Sequence, residues 1–169
     1  MTIRLTEDVV NALGIIVAAQ FAGELAAVDT ERGDGITLAA PALANRYSYP
    51  KTPIQGPAAH LEMFEDGPVV FENSATDHQD LRAAYSVPMT VRCTWFNRDG
   101  DDEDTMYKRA RRYASAITTM FAKNTKAGFV RLIRSTTVAM QHETEGEGDD
   151  KVLKGVVTCG LVVDCEEYA

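Results

Sequence analysis

The stretch of sequence that decides the fold runs from Asp80 to Phe96 and reads DLRAAYSVPMTVRCTWF. Its apolar residues recur at every second position, and the arginines, the threonines and Ser86 lie between them. This alternation is the period of a β-strand, and a slip of one residue would bury the arginines. Pro88 falls on the polar side and predicts a bulge or an edge position. We therefore predict one long strand whose core-facing residues are Leu81, Ala83, Tyr85, Val87, Met89, Val91, Cys93 and Trp95.

Two amphipathic helices flank this strand in the sequence. Residues 6–27 carry apolar side chains every three or four positions, with Thr6 as the predicted N-cap and acidic residues in the first turn. A second helix is predicted from the acidic turn at 97–104 to Lys126, with Gly128 as its stop. Its apolar stripe includes Ile117 and Phe121, which we expect to share a core with the long strand.

Further strands complete the predicted sheet. Residues 130–140 and 157–165 each alternate apolar and polar side chains, and the acidic segment 143–151 joins them, so antiparallel pairing is expected. Residues 58–72 form two alternating runs around Asp66-Gly67, which is a strong hairpin signal. Three prolines between residues 50 and 57 predict a stiff, extended arm.

These elements place the chain in the α+β class. Helices and strands do not alternate strictly, which disfavours a parallel sheet with crossover helices. The expected architecture is a single domain over residues 1–169. It has a mainly antiparallel β-sheet, two principal helices packed on one face and a projecting β-hairpin.

Composition limits the classes of partner. The 169 residues include 17 basic and 25 acidic ones, a net charge of −8. Nucleic acid and anionic membranes both attract basic surfaces, so neither is expected as the main partner. No signal peptide is expected, and the apolar stretch 9–19 is too short to cross a bilayer. The three cysteines, an odd number without a CxxC pair, are expected to be buried, unbridged side chains.

The search for catalytic and metal-binding motifs favours a protein that is not an enzyme and holds no cofactor or metal. The sequence has no phosphate-binding glycine motif and no nucleophile elbow. His60 and Glu62 share a strand face, but they supply only two ligands where a structural metal site usually needs four. The basic run from Lys108 to Arg112 allows two interpretations, a grip on phosphate or a solvated face with local or intersubunit ion pairs. The second interpretation is favoured.

The order of elements resembles that of the tail terminator and tail-completion proteins of long-tailed bacteriophages. It comprises a leading helix, a proline-rich extended segment, a hairpin through Asp66-Gly67, a strand ending VPMTVRCTWF, an acidic turn, a helix beginning near Tyr107 and two closing strands. The resemblance is strongest over residues 35–166 and is one of layout, since that family has no short diagnostic motif.

The resemblance implies a structural role in the virion tail, after assembly in the host cytoplasm. Proteins of this family form hexameric rings that cap the tail tube and join it to the head connector. The implied partners are further copies of the chain, the tail tube protein and the neck proteins, with DNA passing through the lumen without specific binding. The family has no catalytic residues to carry over. A neck adaptor between portal and tail is an alternative, and a small soluble enzyme or ligand-binding domain is a third.

A subunit interface is predicted on two segments. The 58–72 segment has apolar residues on both faces, so one face of a sheet cannot bury them all. This segment or the 50–57 arm is expected to reach a neighbouring subunit, and the basic cluster is expected to meet an acidic loop there. The predicted interface residues are Phe64, Val70, Phe71, Lys108, Arg109 and Arg112.

Overall fold

Two helices and six strands follow the hydrophobic pattern of the sequence. The structure, a computed structural model, describes residues 6–51, 58–72, 82–96, 102–126, 128–145 and 152–168. The elements are α1 (Thr6–Arg32), a short 3-10 helix (Leu43–Asn45), β1 (Arg46–Tyr47), β2 (His60–Glu65), β3 (Val70–Phe71), β4 (Arg82–Phe96), α2 (Glu103–Lys123), β5 (Val130–Glu145) and β6 (Val152–Tyr168).

The strands form one sheet in the order β1-β2-β4-β6-β5, with β3 also paired to β4. Every pair is antiparallel except β1 with β2, which is parallel. Helices α1 and α2 pack on one face of this sheet and enclose the hydrophobic core. The predicted α+β class with a mainly antiparallel sheet and two principal helices is confirmed.

Strand β4 has the predicted register. Its described core-face residues from Tyr85 to Trp95 are at most 3% exposed, and they share one core with Ile117 and Phe121 of α2. Leu81 lies outside the described residues, and only the backbone of Ala83 is described. Strand β4 therefore pairs with β2 over six residues on one side and with β6 over fifteen residues on the other.

Helices α1 and α2 run antiparallel across the sheet. Lys123 of α2 binds Glu24 of α1 at 2.8 Å, whereas the earlier residue Arg112 reaches the later residue Asp29. Helix α1 continues to Arg32, five residues beyond the predicted end, and stops at Gly33, whose φ of +60° is readily adopted by glycine. Helix α2 begins after Asp102, whose carboxylate caps the helix by accepting a 2.8 Å hydrogen bond from the amide of Thr105.

The predicted hairpin at 58–72 is wrong. Strands β2 and β3 do not pair with each other but lie end to end along the same edge of β4. Residues 60–65 pair with residues 89–94, and residues 70–71 pair with residues 85–86. The Asp66-Gly67 step is thus an interruption in an edge strand, and the chain keeps its direction through it.

Pro88 explains where this interruption falls. Its carbonyl accepts a 3.0 Å hydrogen bond from the amide of Asp66, so the main-chain polar groups of residue 88 face the β2–β3 side. Proline has no N–H to offer there, and the ladder breaks at that point. The side chain of Asp66 accepts a 2.7 Å hydrogen bond from Thr90, and Gly67 takes a φ of +140° against the proline ring. The bulge or edge position predicted for Pro88 is wrong, because β4 is a central strand and pairs with β6 through residue 88 without a register shift.

Strand β5 departs from the predicted alternation. Register shifts lie between Val130 and Leu132 and again between Ser135 and Thr137. The first shift moves Leu132 to the face away from the helices, opposite Asp164, while Ile133 becomes buried. Bulges of this kind cannot be read from a two-residue period. The described outer edge of β5 has no strand beside it.

The register of β4 gives a direct test of stability. Val91 is fully buried, so Val91→Asp should lower the free energy of unfolding by several kcal/mol or prevent folding, because a buried unpaired charge is costly. Val70→Asp is the matched control, since Val70 is 57% exposed and the same change should cost about 0.5 kcal/mol or less. Urea unfolding followed by circular dichroism measures both, and equal stabilities would contradict the register.

The cysteines are expected to be inert in the folded protein. All three are buried and form no disulfide, as predicted, and burial raises the pKa of Cys93 far above its usual range and that of Cys159 to about 11. A thiol reagent at neutral pH should leave the native chain unmodified and label three thiols in denaturant. Rapid labelling of any cysteine in the native chain would contradict this burial.

Candidate functional site

The three predicted apolar interface residues do not form one patch. Val70 and Phe71 lie exposed on β3, at 57% and 52%, and the Phe71 ring contacts that of Tyr85. Phe64 lies on β2, half-buried, with the guanidinium of Arg92 over its ring at 5.5 Å. Because β2 and β3 occupy different stretches of the β4 edge, Phe64 lies apart from Val70 and Phe71, which expose one apolar side chain on each face of the sheet at β3. We call these two residues the β3 patch.

The predicted basic cluster divides into buried and exposed side chains. Lys108 is exposed and pairs with Asp104, one turn earlier on α2, and that carboxylate raises the pKa of Lys108. Arg109 and Arg112 are buried, at 9% and 4% exposure, whereas an intersubunit role needs them at the surface. Both lie beside the apolar stripe of α2, which packs into the core, and for this reason they are buried. Of the three predicted basic interface residues, Lys108 alone stays accessible.

Arg112 joins α2 to the segment that follows α1. Its guanidinium donates to both carboxylate oxygens of Asp34 at 2.5 Å, to the carbonyl of Ile36 at 2.7 Å and to Asp29 at 3.3 Å. The same hydrogen bonds lower the pKa of Asp34, so their contribution to stability is present at neutral pH and is lost as the pH falls through that lowered pKa. The basic cluster is predicted to meet an acidic loop. Arg112 meets an acidic loop that belongs to its own chain.

A second buried ion pair lies on the sheet face away from the helices. Glu62, fully buried, accepts hydrogen bonds from Arg92 at 2.5 and 2.8 Å and from the backbone amide of Lys51 at 2.5 Å. The Tyr47 ring stacks on His60, and Lys51 lies over that ring at 4.2 Å. His60 and Glu62 share a face, as predicted, but Glu62 is engaged by Arg92. The described residues contain no group of three or more metal-ligating side chains.

Sequence reasoning did not identify the apolar surface on β5. Val138 and Met140 are 44% and 45% exposed, although they oppose buried residues of β6. We call these two residues the β5 patch. The sequence signal was present as apolar alternation, but periodicity alone cannot tell that the helices cover the start of β5 and not Val138 and Met140.

A groove with basic walls lies between α1 and α2. Its volume is about 290 Å³, and it is lined by Val28, Arg32, Asp34, Lys108, Arg111, Arg112 and Ser115. Arg32 and Arg111 are exposed there, and neither forms an ion pair in the described part of the chain. We call this feature the basic groove. The sequence indicated a basic run on α2, but it could not show that Arg32 of α1 lies beside it.

Helix α1 has the length and composition of a membrane-spanning segment. Its most apolar window has a mean hydropathy of 1.6, which corrects the expectation drawn from residues 9–19 alone. Half of that window is buried inside the protein, and the apolar core helix of a folded domain passes the same test. This property therefore does not assign α1 to a membrane.

The Arg112 contacts give a paired test on adjacent residues. Arg112→Met should lower the free energy of unfolding by about 2–3 kcal/mol, because it leaves Asp29 and the Ile36 carbonyl without a charged donor. Arg111→Met removes the same group from an exposed position and should change stability by about 0.5 kcal/mol or less. Chemical denaturation at neutral pH compares the two, and equal losses would contradict the structural role of Arg112.

No family model matches the chain, and no curated protein matches it. A functional proposal therefore starts from the surfaces of this chain, above all from the β3 patch, the β5 patch and the basic groove.

Proposed function

We propose that the chain is a tail terminator of a long-tailed bacteriophage. Identical copies form a ring that caps the tail tube and joins it to the head connector. One observation carries the proposal: the β3 and β5 patches lie at opposite edges of the same sheet. The resemblance in element order supplies the biological setting, and the two patches supply a physical reason for a ring.

The two patches are separated by the width of the sheet. Among the described strands, β3 pairs only with β4 on one side, and β5 pairs only with β6 on the other. Each patch exposes two large apolar side chains that a partner surface would remove from water. A single contact that buries both therefore joins the β3 side of one copy to the β5 side of the next.

Such a contact is head to tail, and this has a consequence for symmetry. A contact between two unlike surfaces repeats at every copy and closes into a ring when the rotation allows it. A contact between two like surfaces would stop at a dimer. Six copies is the number implied by the family resemblance.

The β5 edge has the properties of a buried contact. Strand β5 is 16 residues long, and residues 137–141, Thr-Val-Ala-Met-Gln, carry no charge. Soluble proteins usually protect an exposed edge strand with charges, prolines or a covering element. Arg131, Arg134 and Glu143 protect the ends of β5, and a neighbouring subunit would cover its centre. The net charge of −8 also suits a ring through which DNA slides without adhering.

The head-to-tail contact can be tested by complementation. The variant Val70→Glu/Phe71→Glu loses the β3 patch, and Val138→Glu/Met140→Glu loses the β5 patch. Each should be monomeric alone at concentrations where the wild type forms a ring, because charged side chains cannot enter an apolar contact without a large cost. Mixed together, they should form a one-to-one dimer through the one intact pair of patches. Analytical ultracentrifugation or native mass spectrometry distinguishes these species.

Leu43→Glu is the matched control, because Leu43 is a 79% exposed apolar residue of the 3-10 helix that belongs to neither patch, and this variant should assemble as the wild type does. A mixture of the two edge variants that stays monomeric would contradict the head-to-tail contact.

Electron microscopy with purified tail tubes tests the proposed role as a tail terminator. The wild-type ring should bind tube ends, whereas binding to the head connector and not to tubes would identify a neck adaptor. A wild-type chain that stays monomeric with tubes present would overturn the proposal.

A further inference from the structure

The basic groove contains charges that have no partner among the described residues. Two of its four basic residues are matched internally, since Lys108 binds Asp104 and Arg112 binds Asp34. Arg32 and Arg111 have no acidic partner among the described residues. In a chain with 25 acidic and 17 basic residues, these two exposed guanidinium groups make the groove a locally basic surface.

The helix dipole accounts for the position of only one of these two arginines. Arg32 is the last residue of α1, where the helix dipole favours a cation. Arg111 lies in the interior of α2, where no such effect applies. The groove places both beside Lys108 and Arg112, whose charges are offset by Asp104 and Asp34. A bound anion would therefore pair with Arg32 and Arg111.

The chemistry of the groove suits carboxylates. Guanidinium groups bind carboxylate and phosphate with two parallel hydrogen bonds, and Ser115 adds a hydroxyl beside the apolar side chain of Val28. The groove is small, at about 290 Å³, and the exposed acidic residues Asp34 and Asp104 border it. A long phosphate backbone would meet these carboxylates, whereas a short acidic peptide can stay within the basic surface.

The chain supplies such a peptide. Residues 143–150 read ETEGEGDD, with five carboxylates in eight positions. Glu143, at the start of this stretch, is 52% exposed at the far end of β5 and pairs with Lys154. We propose that the basic groove of one copy binds the acidic stretch 143–150 of a second copy. This inference rests on the proposed ring, and it names a polar contact that would accompany the apolar one.

This contact would help an acidic chain to self-associate. Copies with a net charge of −8 repel each other, and a local pairing of opposite charges counters that repulsion and selects the orientation of the partner. Surface charge pairs are screened by salt, so assembly should weaken as ionic strength rises. The charge reversal Arg111→Glu should weaken self-association by about 10-fold or more, because it replaces attraction with repulsion.

Cysteine pairing tests the contact directly. One copy carries Arg111→Cys and the other carries Glu147→Cys, and the three native cysteines are buried and should stay unreactive. Under mild oxidation the mixture should give a disulfide-linked dimer on a non-reducing gel. Leu43→Cys replaces Arg111→Cys in the matched control, which should give no such dimer.

Each of the remaining outcomes would overturn the groove proposal, and the measurements tell these outcomes apart. If the wild type forms a ring but no cross-link appears and Arg111→Glu assembles normally, the groove proposal fails and the ring survives. If every variant is monomeric at all concentrations, both fail. A disulfide that closes within one chain carrying both cysteines, in a monomer, would show that the chain fills its own groove. Binding of labelled duplex DNA at physiological salt, lost in Arg111→Glu, would identify a nucleic-acid site instead.

Discussion

The alternation along β4 fixes both faces of the sheet, and both helices pack against one of them. Its odd-numbered residues from Tyr85 to Trp95 fill the core, and its even-numbered residues carry the polar groups of the opposite face. Because β2 and β6 pair with β4 over long ladders, a one-residue shift would displace their core residues as well. The same register sets Arg92 opposite Glu62, so the buried ion pair depends on it too.

Two arginines with buried contacts hold irregular segments to this frame. Arg112 fastens the segment after α1 to α2, and Arg92 with Glu62 fixes the backbone of Lys51 against the open face of the sheet. Neither ion pair is expected to add much stability over a well-packed apolar alternative. Each ion pair instead fixes the position of a segment that has no regular secondary structure. The basic groove owes its shape to Arg112, whose internal pairing leaves Arg32 and Arg111 as its available cations.

Much of the fold could be predicted from periodicity, because β4, β6 and the helices each bury one continuous stripe. The wrong predictions arose where a local sequence signal was overridden by a residue distant in the sequence. Asp66-Gly67 is a strong local turn signal, but the missing N–H of Pro88 on the neighbouring strand decides what happens there. The bulges of β5 and the burial of Arg109 and Arg112 likewise depend on neighbours distant in sequence. The β5 patch was missed because coverage by helices is a property of the assembled layers.

The interruption at Pro88 also bears on how far association can spread. Fibre growth by stacking of sheets requires a long, regular backbone template on both sides of each copy. Here one side offers a template of 16 residues, while the other is divided into runs of six and two residues, with Pro88 and Gly67 at the break. That broken side is a poor template for cross-β stacking. An uncovered β5 edge therefore lacks a matching second template, which leaves a newly made chain time to meet the correct neighbour.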